Sequence, residues 1–156
     1  MTRIARLFAL LGIALASIAA AAAPDWRFVA LSGFDDHLAA VFIDANSIQT
    51  ANGRANFALI KVLDARIGRV DNITTRVDAD CTTRVYREFD VMGNDGSRRM
   101  VTVPNENDVL QAERETVIYA AIDMGCGALP LDSATVDDPV ADGVARMREE
   151  AAGGSE

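Results

Sequence analysis

Apolar and polar residues alternate along much of the chain, the period of strands that bury one face. Trp26 to Leu31 sets aromatic residues against others and ends at Ser32-Gly33. Asp35-Asp36 makes a polar turn before the apolar run Leu38 to Ile43. Asp44 to Ser47 reads as a tight turn or a single helical turn, because Asn46 and Ser47 can satisfy backbone donors locally. Asn52-Gly53 is a hairpin signal, since both residues tolerate positive φ. It leads into a long strand over Ala55 to Leu63, with Phe57 and Leu59 on one face and Ala58, Ile60 and Val62 on the other. Two apolar faces place that strand at the centre of a sheet.

Gly68 to Ile73 reads as a polar connection. From Thr75 one parity runs through Val77, Ala79, Cys81, Thr83 and Val85 to Phe89 and Val91, broken by Arg87. A single long strand, bent or bulged near its middle, accounts for it and turns Cys81 toward the core. Gly93 to Gly96 is a further turn, Met100 to Val103 a short strand, and Pro104 to Asn107 a break. The period then changes. Over Glu113 to Met124, Val117, Ala120, Ala121 and Met124 share one helical face, with Thr116 or a near neighbour to cap it and Gly125 to stop it.

Strands followed by a helix with one apolar stripe predict an α+β fold. The expected form is an antiparallel sheet of about five to six strands with a C-terminal helix packed on one face. After Cys126 come scattered acids, two prolines and a Gly-Gly-Ser ending. These predict an acidic, mostly disordered tail over 128–156, with Val140 to Glu150 at most a transient helix, and a domain over 24–127.

Residues 1–22 stand apart. Arg3 and Arg6 precede an apolar run from Leu7 to Ala16 and an alanine tract, with no acid before Asp25. These are the parts of a secretory signal peptide, with cleavage expected after Ala22. An uncleaved anchor is the alternative, weakened by the low hydrophobicity of alanine. No cysteine closes the segment, so a lipid anchor is not expected and the product reads as periplasmic or secreted. Removal of the signal leaves 13 basic side chains against 23 acidic ones, a net charge of −10. That balance disfavours nucleic acid and anionic membrane surfaces as partners. In an exported chain the two cysteines, Cys81 and Cys126, are expected to pair. The disulfide would fasten the end of the helix to the long strand.

Several of these residues carry a resemblance. Val41-Phe42-Ile43-Asp44-Ala45-Asn46-Ser47-Ile48 resembles the "Y-x-D-x-x-S-I" segment of surface-adhesin protein E-like domains. Asp80-Cys81, followed by Arg84, Tyr86 and Arg87, is similar to that family's Asp-Cys strand, and a helix ending at Cys126 and the early Trp26 complete the order. The resemblance spans residues 26–126. It implies an antiparallel sheet with a packed helix, a bacterial cell-envelope location and, in the namesake, an adhesin that binds host matrix proteins. The namesake is lipid-anchored, whereas no lipidation cysteine is found here, and the family's proline-glycine entry to the helix stands here as Arg114-Glu115. No ligand-binding residue carries over by motif.

No catalytic, cofactor-binding or metal-binding set emerges. His37, the single histidine, has only Asp35 and Asp36 beside it, where a metal site needs three or four converging ligands. A Ser-His-Asp triad would have to use His37, and no nucleophile elbow is present. Asn94-Asp95-Gly96 lacks the alternating ligands of a calcium loop. Asp78, Asp80, Glu88 and Asp90 could imitate a carboxylate pair, but nearby Arg76, Arg84 and Arg87 favour cross-strand ion pairs. Trp26 and Tyr86 are expected to pack in the sheet. The expectation is therefore a non-enzymatic envelope domain that binds an unidentified protein partner or a second copy of itself. The alternative is an envelope hydrolase or sugar-binding protein using the strand carboxylates.

Overall fold

The hairpin signals set the order of an antiparallel meander. The computed structural model describes residues 22–34, 37–67, 70–94, 100–102 and 108–153. Nearly all of the export segment lies outside the described residues, as do Asp35-Asp36, the Asp95-Gly96 turn and Pro104–Asn107. Strands β1 (Trp26–Phe34) and β2 (His37–Asp44) pair first, with a bulge between Phe28 and Ala30. A single 3-10 turn, Ala45–Ser47, leads to β3 (Gln49–Ala51), which turns at Asn52-Gly53 into β4 (Arg54–Ile67). Both turn residues have positive φ, 52° and 73°, as the hairpin signal requires. Strands β5 (Val70–Asp80), β6 (Val85–Asn94) and β7 (Met100–Thr102) follow, and β8 (Leu110–Gln111) returns to pair with β6. Helix α1 (Val117–Gly125) comes next, then β9 (Thr135–Val136) and helix α2 (Pro139–Gly153). The sheet runs β7-β6-β5-β4-β2-β1-β9, with β3 beside β4 and β8 beside β6.

The sheet exceeds the expected five to six strands, with nine among the described residues. Two short strands, β8 and β9, are additional, and Thr75 to Val91 is two strands and a turn. Asp80 Oδ1 accepts hydrogen bonds from the Thr82 and Thr83 amides (2.9 and 2.8 Å), and Arg84 takes a positive φ of 62°. Across this turn the inward positions pass from Val77 and Ala79 to Tyr86 and Glu88. Val85 and Phe89 on the other face, and Val91 beyond a register shift at Asp90, preserve the appearance of one alternation, and Cys81 lies in the turn. Val70 to Ile73, read as connection, already belongs to β5.

A helix lies on each face of the sheet, which explains why β4 is apolar on both. On one side Val41, Ile43, Phe57, Leu59, Val77 and Tyr86 pack with Ala121 and Ile122 of α1. Thr116 caps that helix by accepting from the Tyr119 amide, so α1 begins at Val117, later than Glu113. At its end Gly127 (φ 73°) and Ala128 donate back to the Met124 and Asp123 carbonyls (3.1 and 2.7 Å), a Schellman closure. Gly125 serves the packing instead. A Cβ there would fall 2.5 Å from the Phe57 ring, so its absence lets helix and sheet approach.

The other face carries the larger correction. The stretch 128–156, expected to be a mostly disordered tail beyond a boundary at 127, supplies β9 and α2. Val140, Val144 and Met147, at helical spacing, cover Ala40, Phe42, Ile60 and Val62, and Met147 is only 2% exposed. Asp138 caps the helix by accepting from the Val140 and Ala141 amides, with Pro139 at the first helical position. At Gly143 a Cβ would stand 3.0 and 3.1 Å from the Cβ atoms of Val62 and Ala40, so glycine sets how closely α2 lies on the strands. Arg146 stacks on Phe28, 4.2 Å from the ring centre. The helix is too polar to hold itself together; the sheet provides most of the apolar surface.

Candidate functional site

The two motifs behind the family resemblance prove to be local fastenings. Cys81 and Cys126 form a disulfide, as expected, tying the β5–β6 turn to the end of α1. Arg84 of the same turn pairs with Asp123 of α1 at 2.6 Å and lies over the Tyr119 ring, so an ion pair reinforces the covalent link. The first motif works alike. Asp44 accepts from the Asp25 and Asn46 amides (2.8 and 3.0 Å), while Ser47 Oγ donates to the Asp44 carbonyl and accepts from the Ala58 amide. These residues shape turns.

The strand carboxylates do not converge. Asp78 opposes Arg87 on the face that α2 partly covers, whereas Glu88 opposes Val77 on the α1 face and bonds to Lys61 at 2.9 Å. The sheet therefore stands between them. Asp78 is held by Arg54 and Arg87 (3.0 and 3.1 Å), and Arg76 donates to Asn56 alongside. Asp80 is committed to its turn, and Asp90 sits exposed with a φ of 52°. Trp26 packs on the α2 side and Tyr86 on the α1 side, so they share no surface. Burial, followed by the nearby Glu88 charge, holds the Tyr86 phenol above its ordinary range. Among the described residues no group of three or more His, Cys, Asp or Glu is placed to hold a metal ion.

These pairs make stability pH-dependent. The Arg54 guanidinium, aided by Arg87, holds the Asp78 carboxyl below the usual carboxylate range, and the Thr83 and Thr82 amides do the same for Asp80. A depressed folded-state value contributes stability above the unfolded value of about 4, and that contribution is lost as pH falls through the folded value. Unfolding free energy should thus change little from roughly pH 7 to 5 and drop below about pH 4. Asp78→Asn should lower stability at neutral pH and flatten the acid decline, measured by urea unfolding across the series.

What the fold leaves open is an edge. β9 covers β1 only at Trp26 and Arg27, and Ser133 adds one hydrogen bond to the Phe28 carbonyl. From there to Phe34 no strand lies beyond β1 among the described residues. A groove flanks this edge on each face. On the α2 side one of about 550 Å³ runs between residues 28–31 and Arg146, Glu149 and Glu150. On the α1 side one of about 250 Å³ is lined by Ala30, Leu31, Glu115, Val117, Ala120 and Leu129, among others. Single-sequence reasoning missed this site, because which strand ends as an edge depends on sheet order.

The fold and its edge define a class: an antiparallel meander with a helix on each face, one of them fastened by a disulfide, and β1 open along most of its length to a further strand. A solved structure of similar architecture is crystal form II of Haemophilus influenzae protein E. The likeness has a TM-score of 0.50 at 16% identity and covers 65% of this chain and 88% of that one. Identity so low shows a shared fold alone. No family model matches the chain, and no curated protein matches it. Among the described residues no helix is long and apolar enough to cross a membrane.

Proposed function

We propose that this chain is an exported, non-catalytic cell-envelope domain that binds a protein partner through the open edge of β1. The observation that carries the reading is that edge, with its unpaired backbone and a groove on either face. An extended segment can add to such an edge by main-chain hydrogen bonds while its alternate side chains enter the flanking grooves. The secretory character of residues 1–22 and the resemblance to surface-adhesin domains support the location and the adhesin-like role. The commitment of Asp78, Asp80 and Glu88 to ion pairs and a turn supports a non-catalytic role.

Proline provides the test. In an antiparallel strand successive N–H groups point to opposite sides, so of two consecutive residues one directs its N–H outward. Proline at that position blocks the edge and spares the β1–β2 ladder. Leu31→Pro and Ser32→Pro should accordingly differ in melting temperature. The variant that keeps the parental value should lose the proteins that the parent captures from an envelope extract. Undiminished capture by that variant would refute edge binding.

A further inference from the structure

We infer that the segment added to β1 is basic: an extended stretch of a partner protein that carries both apolar and cationic side chains. This rests on the edge-binding reading and specifies its ligand. Successive side chains of an added strand enter the two grooves in turn, so each groove selects alternate residues. Leu31, packed in the α2-side cluster, gives that groove an apolar floor, and Ala30 does so on the α1 side, where Leu129 is 41% exposed. Both also have acidic rims, Glu149 and Glu150 on the α2 side and Glu115 on the α1 side.

The other charges at the grooves are already matched. Arg146 pairs with Asp142 and stacks on Phe28, and Asp123 pairs with Arg84. Glu115, Glu149 and Glu150 form no ion pair among the described residues, and neighbouring Arg114 and Arg148 line neither groove. A second copy of the chain is the poorer occupant. Two-fold pairing through β1 would bring a second set of the same carboxylates to the same edge, where like charges repel. Lysine or arginine in the incoming strand instead finds three uncompensated carboxylates, beside apolar floors that take its aliphatic neighbours.

The test uses fluorescence anisotropy of labelled octapeptides with the full chain. One peptide repeats Val-Val-Lys-Lys; the others carry serine or glutamate in place of lysine. The lysine peptide should bind about tenfold more tightly than the serine peptide and lose that advantage as salt rises from roughly 50 to 500 mM. The glutamate peptide should not bind. Glu115→Gln/Glu149→Gln/Glu150→Gln should erase the preference for lysine. Asp71→Asn/Asp137→Asn, which removes charge at a different groove, should keep it. Equal binding of the serine and lysine peptides, or a lysine preference that survives the triple substitution, would overturn the charge inference and leave edge binding standing. Lysine-peptide binding that the edge-blocking proline does not weaken would place the peptide elsewhere and overturn both. Failure of every peptide to bind, or a dimer that the same proline dissolves, would also overturn the basic-strand assignment.

Discussion

Replacing Met147 by aspartate should unseat α2 and destabilise the protein by about 3 kcal/mol or more, because a charge would enter a site that excludes water. Met147 sits against Ala40, Phe42, Ile60 and Val62. Met147→Leu keeps the volume and should cost less than about 1.5 kcal/mol. The single tryptophan reports the event directly, since Trp26 packs in the same cluster. Its emission should shift to the red in the aspartate variant before global unfolding. If 128–156 were a tail free of the core, both substitutions would leave urea midpoint and emission unchanged.

Removal of the disulfide by Cys81→Ala/Cys126→Ala should be of similar size. Closing the 45-residue separation between the cysteines is worth ~4 kcal/mol on the loop-entropy model, which tends towards the upper side. The melting temperature should fall by roughly 10–20 °C for a chain of this length. Reductant should lower the parental protein towards the variant and leave the variant unmoved. Arg84 and Asp123 still join the turn to α1 without the covalent link, so the variant should refold with α1 seated. Adding Arg84→Gln should destabilise it further.

Local chemistry made much of the fold legible. The Asn52-Gly53 hairpin, the 3-10 turn after Asp44, the Thr116 cap and the pairing of Cys81 with Cys126 each depend on residues whose preferences act over a few positions, or on compartment. The two apolar faces of β4 also place it at the centre of the sheet, as found, but the expected cover was a single helix on one face. The second cover was not identified, although Asp138-Pro139 is a helix-start signal in its own right. The acidic composition of 128–156 masks that signal, because α2 contributes only a narrow apolar stripe.

The sequence by itself determined the antiparallel α+β class, the Asn52-Gly53 hairpin, the first helix and the disulfide that holds it. Only the tertiary structure decided that Thr75 to Val91 folds back on itself, that the last helix belongs to the core, and that β1 ends as an open edge. The reason is physical. Turns and caps are satisfied within a few residues, whereas burial of α2 depends on apolar surface supplied by β2 and β4, roughly a hundred residues earlier in the chain. An edge depends on still more: it exists because β9 stops after covering Trp26 and Arg27. The grooves beside it arise where two helices on opposite faces reach the same two residues, Ala30 and Leu31.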